Sequence, residues 1–377
     1  VLTTEADDFS AFWDARAARL PLGADQHQGI NIVRTPIAPL PGNLWSFAAL
    51  RRLQTYVEPL AVSLSRGAPR LPRVAGDISA LGSEWQLVID WNITFDGMAA
   101  AAREVASKNG SRFVAVPFLH LGEGPESPVR RYYTMPHQLA LLRSADKVIV
   151  QTDVARSFLL ESGFREEQIS TIGLGIDPRT LEGGDGDRFR RRHGIEGAIV
   201  TAIGPLTRDK GALDLVQAIS HLQTQGHTLK LVLAGSPMAD FERFWGNLPR
   251  SVRKQVLRLG PIKGEEKNDL LAASNVRALP SRTDSFGIVL LEAWFNGKPV
   301  IGAMAGGIPG LIDNGVDGRL VPYADTQALA DAMLEIIADP QKAESWGESG
   351  RKKVLDRYTW DAVYERYSQA VGVDRAS

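Results

Sequence analysis

The chain has 377 residues, 44% of them hydrophobic and 23% charged, with a formal net charge of −1 and no cysteine. That length favours two domains over one, and the missing cysteine excludes disulfides and thiolate metal sites. The balanced charge argues against a general nucleic-acid binder, and no apolar run approaches the roughly 18 residues of a membrane span. No secretory signal is visible, but the chain opens on Val1 and not on Met, so a leader stays open.

The first half alternates between strand-like and helix-like runs. Residues 1–4 read as the end of a strand, 9–20 as a short helix or ordered loop, and 29–34 as an alternating strand. Residues 44–64 are helical in pattern with Pro59 as a break. Arg51, Arg52, Arg66, Arg70 and Arg73 surround that run with few acids nearby. Such a patch is most often a solvated face; the second reading is contact of this domain with anionic lipid, as a peripheral membrane contact, or with an acidic acceptor. Strands are expected at 87–90, 112–117, 147–151 and 169–172, with helices at 96–108, 135–143 and 153–161. The strand at 112–117 runs into a Gly/Pro-rich loop that holds His120 and Glu123. Short connections between alternating elements are the pattern of a parallel sheet.

A polar stretch at 182–194 separates the halves, and the pattern then restarts. Strands are expected at 199–203, 229–234, 256–259, 276–279, 299–301 and 320–321. Helices are expected at 212–223, 241–245, 251–255, 265–273, 287–295, 326–338 and 341–358. The tail at 360–371 is amphipathic, with Val363, Tyr364, Tyr367 and Val371 at helical spacing. The reading is therefore α/β, with one domain over 1–180, a linker over 181–197, a second domain over 198–358 and a terminal helix over 359–377.

The chemistry concentrates in residues 279–310, which read as strand end, loop, helix, strand and glycine-rich turn. Loops at the carboxyl ends of parallel strands are where open α/β sheets bind ligands. A helix N-terminus offers unpaired N–H groups and about half a positive charge, which suits a diphosphate. Asp284 falls in the loop before the helix, where it could simply be a cap. Glu292 falls inside the helix among Val289, Leu290, Leu291, Ala293 and Trp294, where a carboxylate is costly without a partner. Lys210-Gly211 ends the loop after the first strand of the second half; it is either a surface lysine at a turn or a cation facing phosphate. Gly306-Gly307 is either a tight turn or a backbone cradle for oxygens. His120 is one of six histidines and the only one at a strand end in such a loop; His27, His137, His193, His221 and His227 lack that context. No metal-ligand spacing, nucleophile elbow or Walker-type lysine loop is present.

These motifs resemble a known family. Gly204 with Leu206 and Lys210-Gly211, Leu233-Ala234-Gly235, Leu259-Gly260 and Leu279-Pro280-Ser281 follow in order. So do 285–293, 297–301, Gly306-Gly307-Ile308-Pro309, Gly315, Gly318 and Leu320-Val321. Over 199–358 the chain looks like the nucleotide-binding domain of retaining glycosyltransferases of family four. The resemblance implies the GT-B fold: two Rossmann-like domains facing across a cleft, with a C-terminal helix crossing back to the first. The first half resembles the acceptor domain more loosely, with residues 1–8 at its second strand. About 30 residues of one strand–helix unit are then expected upstream.

By that resemblance the chain moves a sugar from a nucleotide-diphosphate sugar to an unidentified acceptor, in the cytoplasm or at a membrane, with no metal and no cofactor. Glu292 would bind the ribose hydroxyls, Asp284 would sit at the donor sugar, and His120 would line it near the transfer point. Lys210 would neutralise the diphosphate, and Phe286 and Gly287 would present backbone N–H groups, with Ser285, Ile288 and Gly307 beside them. Ile262 falls where the nucleobase is held. The family places an arginine after the first loop glycine; here that position is Pro205, and Arg208 is the substitute at hand. One lost charge-assisted phosphate contact costs about 1.5–3 kcal/mol. Asp284 is one methylene shorter than the family's glutamate, and Gly310 stands where an acid is common. Two alternatives therefore stay open: a protein on this fold that binds nucleotide or a partner with weakened catalysis, and an epimerase.

Overall fold

A computed structural model describes residues 1–7, 9–39, 43–57, 70–82 and 84–373. The chain divides into two units. One comprises Val1–Leu119, Pro128–Val150 and Leu159–Ser170; the other comprises His120–Ser127, Gln151–Phe158 and Thr171–Ser377. The loop that carries His120 thus belongs with the second unit although the strand before it belongs to the first.

In the first unit, strands β1 (Leu2–Thr4), β2 (Gly23–His27) and β3 (Ile30–Thr35) form a three-stranded sheet in the order β1-β3-β2. A second sheet holds β4 (Leu87–Trp91), β5 (Arg112–Val116), β6 (Lys147–Val150) and β7 (Ile169–Thr171) in that order. β4 pairs with β5, and β5 with β6, in parallel. The helix Asp96–Asn109 connects β4 to β5 and stops at Gly110, whose φ of 65° is the left-handed conformation that closes helices without a Cβ penalty. β1 and β4 both border a cavity of about 590 Å³ lined by Thr3, Leu87, Ile89, Asp90, Trp91 and Phe95, among others. Burial pushes the Asp90 carboxyl up to about 7, with the nearby charge of Asp96 adding to the shift.

Three elements depart from the sequence reading. β2 is absent from that reading because all five residues are exposed, so GADQH carries no apolar alternation. The helix expected at 44–64 spans Asn43–Tyr56, and residues 58–69 lie outside those described. The helix Val74–Ala80 has no counterpart in the sequence reading. Of the arginine-rich patch, Arg66 and the side chain of Arg51 lie outside what is described. Arg52, Arg70 and Arg73 are exposed, and Arg73 lies 3.8 Å from Asp77. No helix among the described residues is long and apolar enough to cross a membrane.

The second unit is built on β8 (Ile199–Ile203), β9 (Lys230–Ala234), β10 (Val256–Leu259), β11 (Val276–Leu279), β12 (Val300–Ala303) and β13 (Gly318–Val321). Their order is β10-β9-β8-β11-β12-β13 and every pairing is parallel. These strands are written mostly in Val, Ile, Leu and Ala because both faces are covered, with Arg258, Arg277 and Arg319 among the charged exceptions. Val200, Leu231, Leu233, Val276 and Ala278 pack on one face with the helices Ala212–Thr224 and Thr326–Ala338. Ile199, Val232 and Ala234 pack on the other with Phe189, Leu270 and Ala273. The order reverses between β8 and β11, the point where such sheets open a crevice beyond their carboxyl ends.

Residues 186–193, read from sequence as part of a polar connection, form a helix in this unit. Asp185 caps it, Gly194 closes it, and its one buried side chain is Phe189. Arg188 locks it to the helix Gly264–Ala273 through a bidentate pair with Asp269, at 2.6 and 2.7 Å. Elsewhere in the unit, Lys353 pairs with buried Asp317 and with Asp313, donates to Leu311 O at 2.9 Å, and lies over the Trp294 ring. Burial pushes the Asp317 carboxyl up, and the lysine opposes that shift. Lys353→Met should therefore lower unfolding free energy by about 3 kcal/mol or more in urea titrations, because it strands a buried carboxylate. The double variant with Asp317→Asn should regain part of that loss.

Candidate functional site

The reversal in strand order sets where the site lies. Loop 204–211 leaves β8 and loop 280–287 leaves β11, its neighbour, so the two start side by side. They are tied together at Asp209. Its carboxylate accepts from Arg282 Nη2 at 2.6 Å and Nε at 3.0 Å. Its backbone carbonyl accepts from Ser281 Oγ at 3.1 Å and from Arg282 N–H at 3.0 Å. Arg282 also reaches Glu123 at 3.6 Å, which draws the loop of His120 to the same place. The glycine turn after β12 joins through backbone bonds: Gly306 N–H donates to Gly122 O and Gly307 N–H to Asp284 O, both at 2.7 Å. A Cβ on Gly306 would lie 2.2 Å from Asp284 O, and one on Gly307 would lie 1.9 Å from Ser285 O. The diglycine is thus required by close approach of backbone, and not only by turn geometry.

Lys210, Asp284 and His120, all sequence-derived candidates, come together against this turn. Lys210 Nζ lies 3.0 Å from Asp284 Oδ2, with both side chains largely buried. His120 is half-buried beside them and hydrogen-bonds to the Thr283 backbone. Its pKa falls to about 4, first through burial and then through the charge of Lys210, while Asp284 works in the opposite direction. At neutral pH His120 is therefore an uncharged imidazole, with one ring nitrogen to donate and one to accept. A cavity of about 130 Å³ opens at this pair, lined by Gly204, Pro205, Lys210, Leu279, Asp284 and Val289 among others.

The helix Ile288–Phe295 starts at Gly287, whose φ is 97°, and no described side chain caps it. Asp284 is therefore not the cap that its position before a helix suggested; its carboxylate goes to Lys210 instead. Glu292 does find a partner, as its apolar setting required. Lys267, on the helix Gly264–Ala273, lies 2.6 Å from Glu292 Oε1, whereas Oε2 is buried with no hydrogen-bond partner among the described residues. Phe286 is buried edge-on to Tyr358 at 5.4 Å, which fixes the loop's exit into the helix. Ser285 is half-buried and Ile288 is exposed. Ile262 packs at the border of the cluster around Ile199 and Leu270. Arg208 is exposed, and its backbone N–H is held by Asp240 at 2.8 Å. Among the described residues no ion pair joins its guanidinium to Asp284, and Pro205 is one of the residues that line the cavity.

Lys267 and Arg282 are absent from the sequence reading. Each is a charged residue whose partner lies 25 or 73 positions away, a separation that local spacing does not reveal. Cations and acids, a neutral histidine, an uncapped helix start and a glycine cradle in one place suit an anionic ligand that also carries hydroxyl groups.

Residues 185–353 match the model of the family described as glycosyl transferases group 1. The N-acetyl-alpha-D-glucosaminyl L-malate synthase of Bacillus anthracis is 30% identical over 204 residues, covering 53% of this chain and 52% of that protein. The D-inositol 3-phosphate glycosyltransferase of Saccharomonospora viridis is 28% identical over 258 residues, covering 63% and 58%. The chain thus spans about half the length of these curated relatives. Among solved structures, HepE of Anabaena in complex with UDP matches with a TM-score of 0.68 at 21% identity, over 80% of this chain and 82% of that one. The sucrose-phosphate synthase of Thermosynechococcus elongatus matches with a TM-score of 0.68 at 21% identity, over 92% and 84%. The fold is the α/β GT-B fold that these structures share.

Two measurements check this geometry. The native pKa of His120, about 4, lies below its ordinary 6.5, so the unfolded chain binds the extra proton between those values. Its contribution to stability should rise with pH from about 4 to 6.5 and stay flat above. In urea titrations across that window, the pH slope of His120→Asn should be shallower than that of the wild type. Gly307→Ala should displace loop 280–287 and lower unfolding free energy by about 1–3 kcal/mol, since the added methyl has no space.

Proposed function

We propose that this chain, whose residues 185–353 match the model of the glycosyl transferases group 1 family, is a retaining glycosyltransferase that uses a nucleotide-diphosphate sugar. The observation that carries the reading is the Lys210–Asp284 pair at the carboxyl ends of β8 and β11, with neutral His120 against it. A diphosphate entering there takes Lys210 as its counter-charge and releases Asp284 to accept from a hydroxyl of the donor sugar. The uncapped start of the helix at Gly287 adds N–H groups and dipole to the same phosphates. Glu292 accepts from the ribose hydroxyls, which supply Oε2 with the partner it lacks among the described residues. Phe286 and Gly287 offer backbone N–H groups, and Ile262 lies toward the base. That HepE was solved with UDP, and with UDP-glucose, favours a uridine donor.

In the transfer, the bond from the anomeric carbon to the diphosphate oxygen breaks while an acceptor hydroxyl attacks from the same face. The acceptor's proton goes to the departing phosphate oxygen. Charge that builds on the diphosphate meets Lys210 and the helix start, both already in place, so little reorganisation is needed. His120, uncharged, hydrogen-bonds to the sugar without adding a positive charge beside the developing oxocarbenium. The acceptor is a glycan, a lipid or a small molecule.

Pro205 and the shortened acid Asp284 favour a second reading, a nucleotide-binding protein with weakened turnover. Incubation with a panel of nucleotide sugars, followed by assay of free nucleotide, separates the two. Release of nucleotide from one donor is the expected result; binding of nucleotide without release from any donor favours the second reading. Independently, Glu292→Ala should weaken UDP binding about tenfold or more by calorimetry, the loss of charge-assisted hydrogen bonds, while the thermal transition remains cooperative. Unchanged affinity would refute the ribose role.

A further inference from the structure

Arg277 is the second residue of β11, in register with Thr201 of β8 and Val300 of β12, in the middle of the parallel sheet. It has no exposed surface. Its Nη2 donates to Ile203 O at 2.8 Å, so the side chain runs toward the carboxyl ends of the strands, where the site is. Nε and Nη1 are buried with no hydrogen-bond partner among the described residues. Val276 and Ala278, its neighbours along the strand, point into the core against the helix Ala212–Thr224. Arg277 therefore points to the opposite face, the side of Ile199 and Leu270.

A guanidinium so placed is expensive. It gives up its hydration without gaining full pairing, and an apolar residue would fill a central strand position more stably. Burial accordingly lowers its pKa to about 10, and the charges of Glu292 and then Asp284 oppose that shift. It stays protonated at neutral pH. The two acids whose charges reach it, Glu292 and Asp284, both belong to the candidate site. Glu292 thus lies in the field of two cations, with Lys267 bonded to Oε1 from a neighbouring helix and Arg277 enclosed in the sheet.

We infer that Arg277 is a positioning residue for the nucleotide site: its enclosed guanidinium is the permanent counter-charge of the Glu292 carboxylate and keeps it in the orientation that receives ligand hydroxyls. This rests on the nucleotide reading proposed above. The division of labour follows from geometry. The Lys267 side chain is 23% exposed and can move away when a hydroxyl takes its place on Glu292. Arg277 is enclosed and cannot. Without it, a ligand that displaced Lys267 would leave the carboxylate desolvated and without a counter-charge, a costly state that would weaken binding.

Two measurements on the full chain test this, one of them without nucleotide. Thermal melting of Arg277→Met, Glu292→Gln and the double variant forms a double-mutant cycle. Each single change strands one buried polar group, so the double variant should melt at or above the lower of the two singles, and well above the sum of their losses. Additive losses would overturn the coupling. In the second arm, UDP, GDP and ADP are titrated into wild type, Arg277→Met and Arg277→Lys. Arg277→Met should weaken the nucleotide that wild type binds by about tenfold or more, and Arg277→Lys should recover part of the affinity. If a donor is turned over, the loss should fall on KM and not on kcat. Unchanged affinity in a folded Arg277→Met protein would overturn the positioning role and leave Arg277 structural. Wild type that binds none of the three nucleotides would sink the nucleotide reading itself, while a non-additive melting cycle would still establish the Arg277–Glu292 coupling.

Discussion

The ion pair between Lys210 and Asp284 depends on one topological fact. β8 and β11 are distant in the chain but neighbours in a parallel sheet, and the loops leaving them begin where the strand order reverses. Everything else at the site follows from closing those loops onto each other. Arg282 and Ser281 bind Asp209, the diglycine lies against the carbonyls of Asp284 and Ser285, and Gly306 is bonded to Gly122 in the loop of His120. Backbone contacts, and not flexible side chains alone, hold the lysine and the aspartate together.

The same closure explains the electrostatics. Gathering charges where water is partly excluded would be costly if they did not offset one another. Lys210 is set against Asp284, Lys267 against Glu292, and Arg282 against Asp209 and Glu123. Arg277 is the exception in geometry, with two nitrogens lacking partners among the described residues, and it is balanced by the field of the two acids. His120 takes no part in this balance because burial and Lys210 keep it neutral.

Much of the second unit was legible in the sequence. Strands buried on both faces must be written in Val, Ile, Leu and Ala, and the turns between them in Gly, Pro and Asp, so the alternation can be read directly. The first unit was harder. β2 is exposed along its length and carries no apolar period, and the helix Val74–Ala80 is too short to show one. The helix Gly186–His193 has a single buried side chain, Phe189, and its charged residues look like a connection until Asp269 is seen beside Arg188.

The sequence by itself determined the α/β alternation, the glycine turn at 306–307 and the acids at 284 and 292, because each is encoded within a few neighbouring residues. It also held one unused signal: an arginine in the otherwise apolar strand 276–279. Only the tertiary structure decided which charges meet. Asp284 turned to Lys210 and left the helix uncapped, Glu292 found Lys267, and Arg277 came within the field of both acids. Those pairings are set by which strands are adjacent and how closely their loops pack, and neither quantity is written in local spacing.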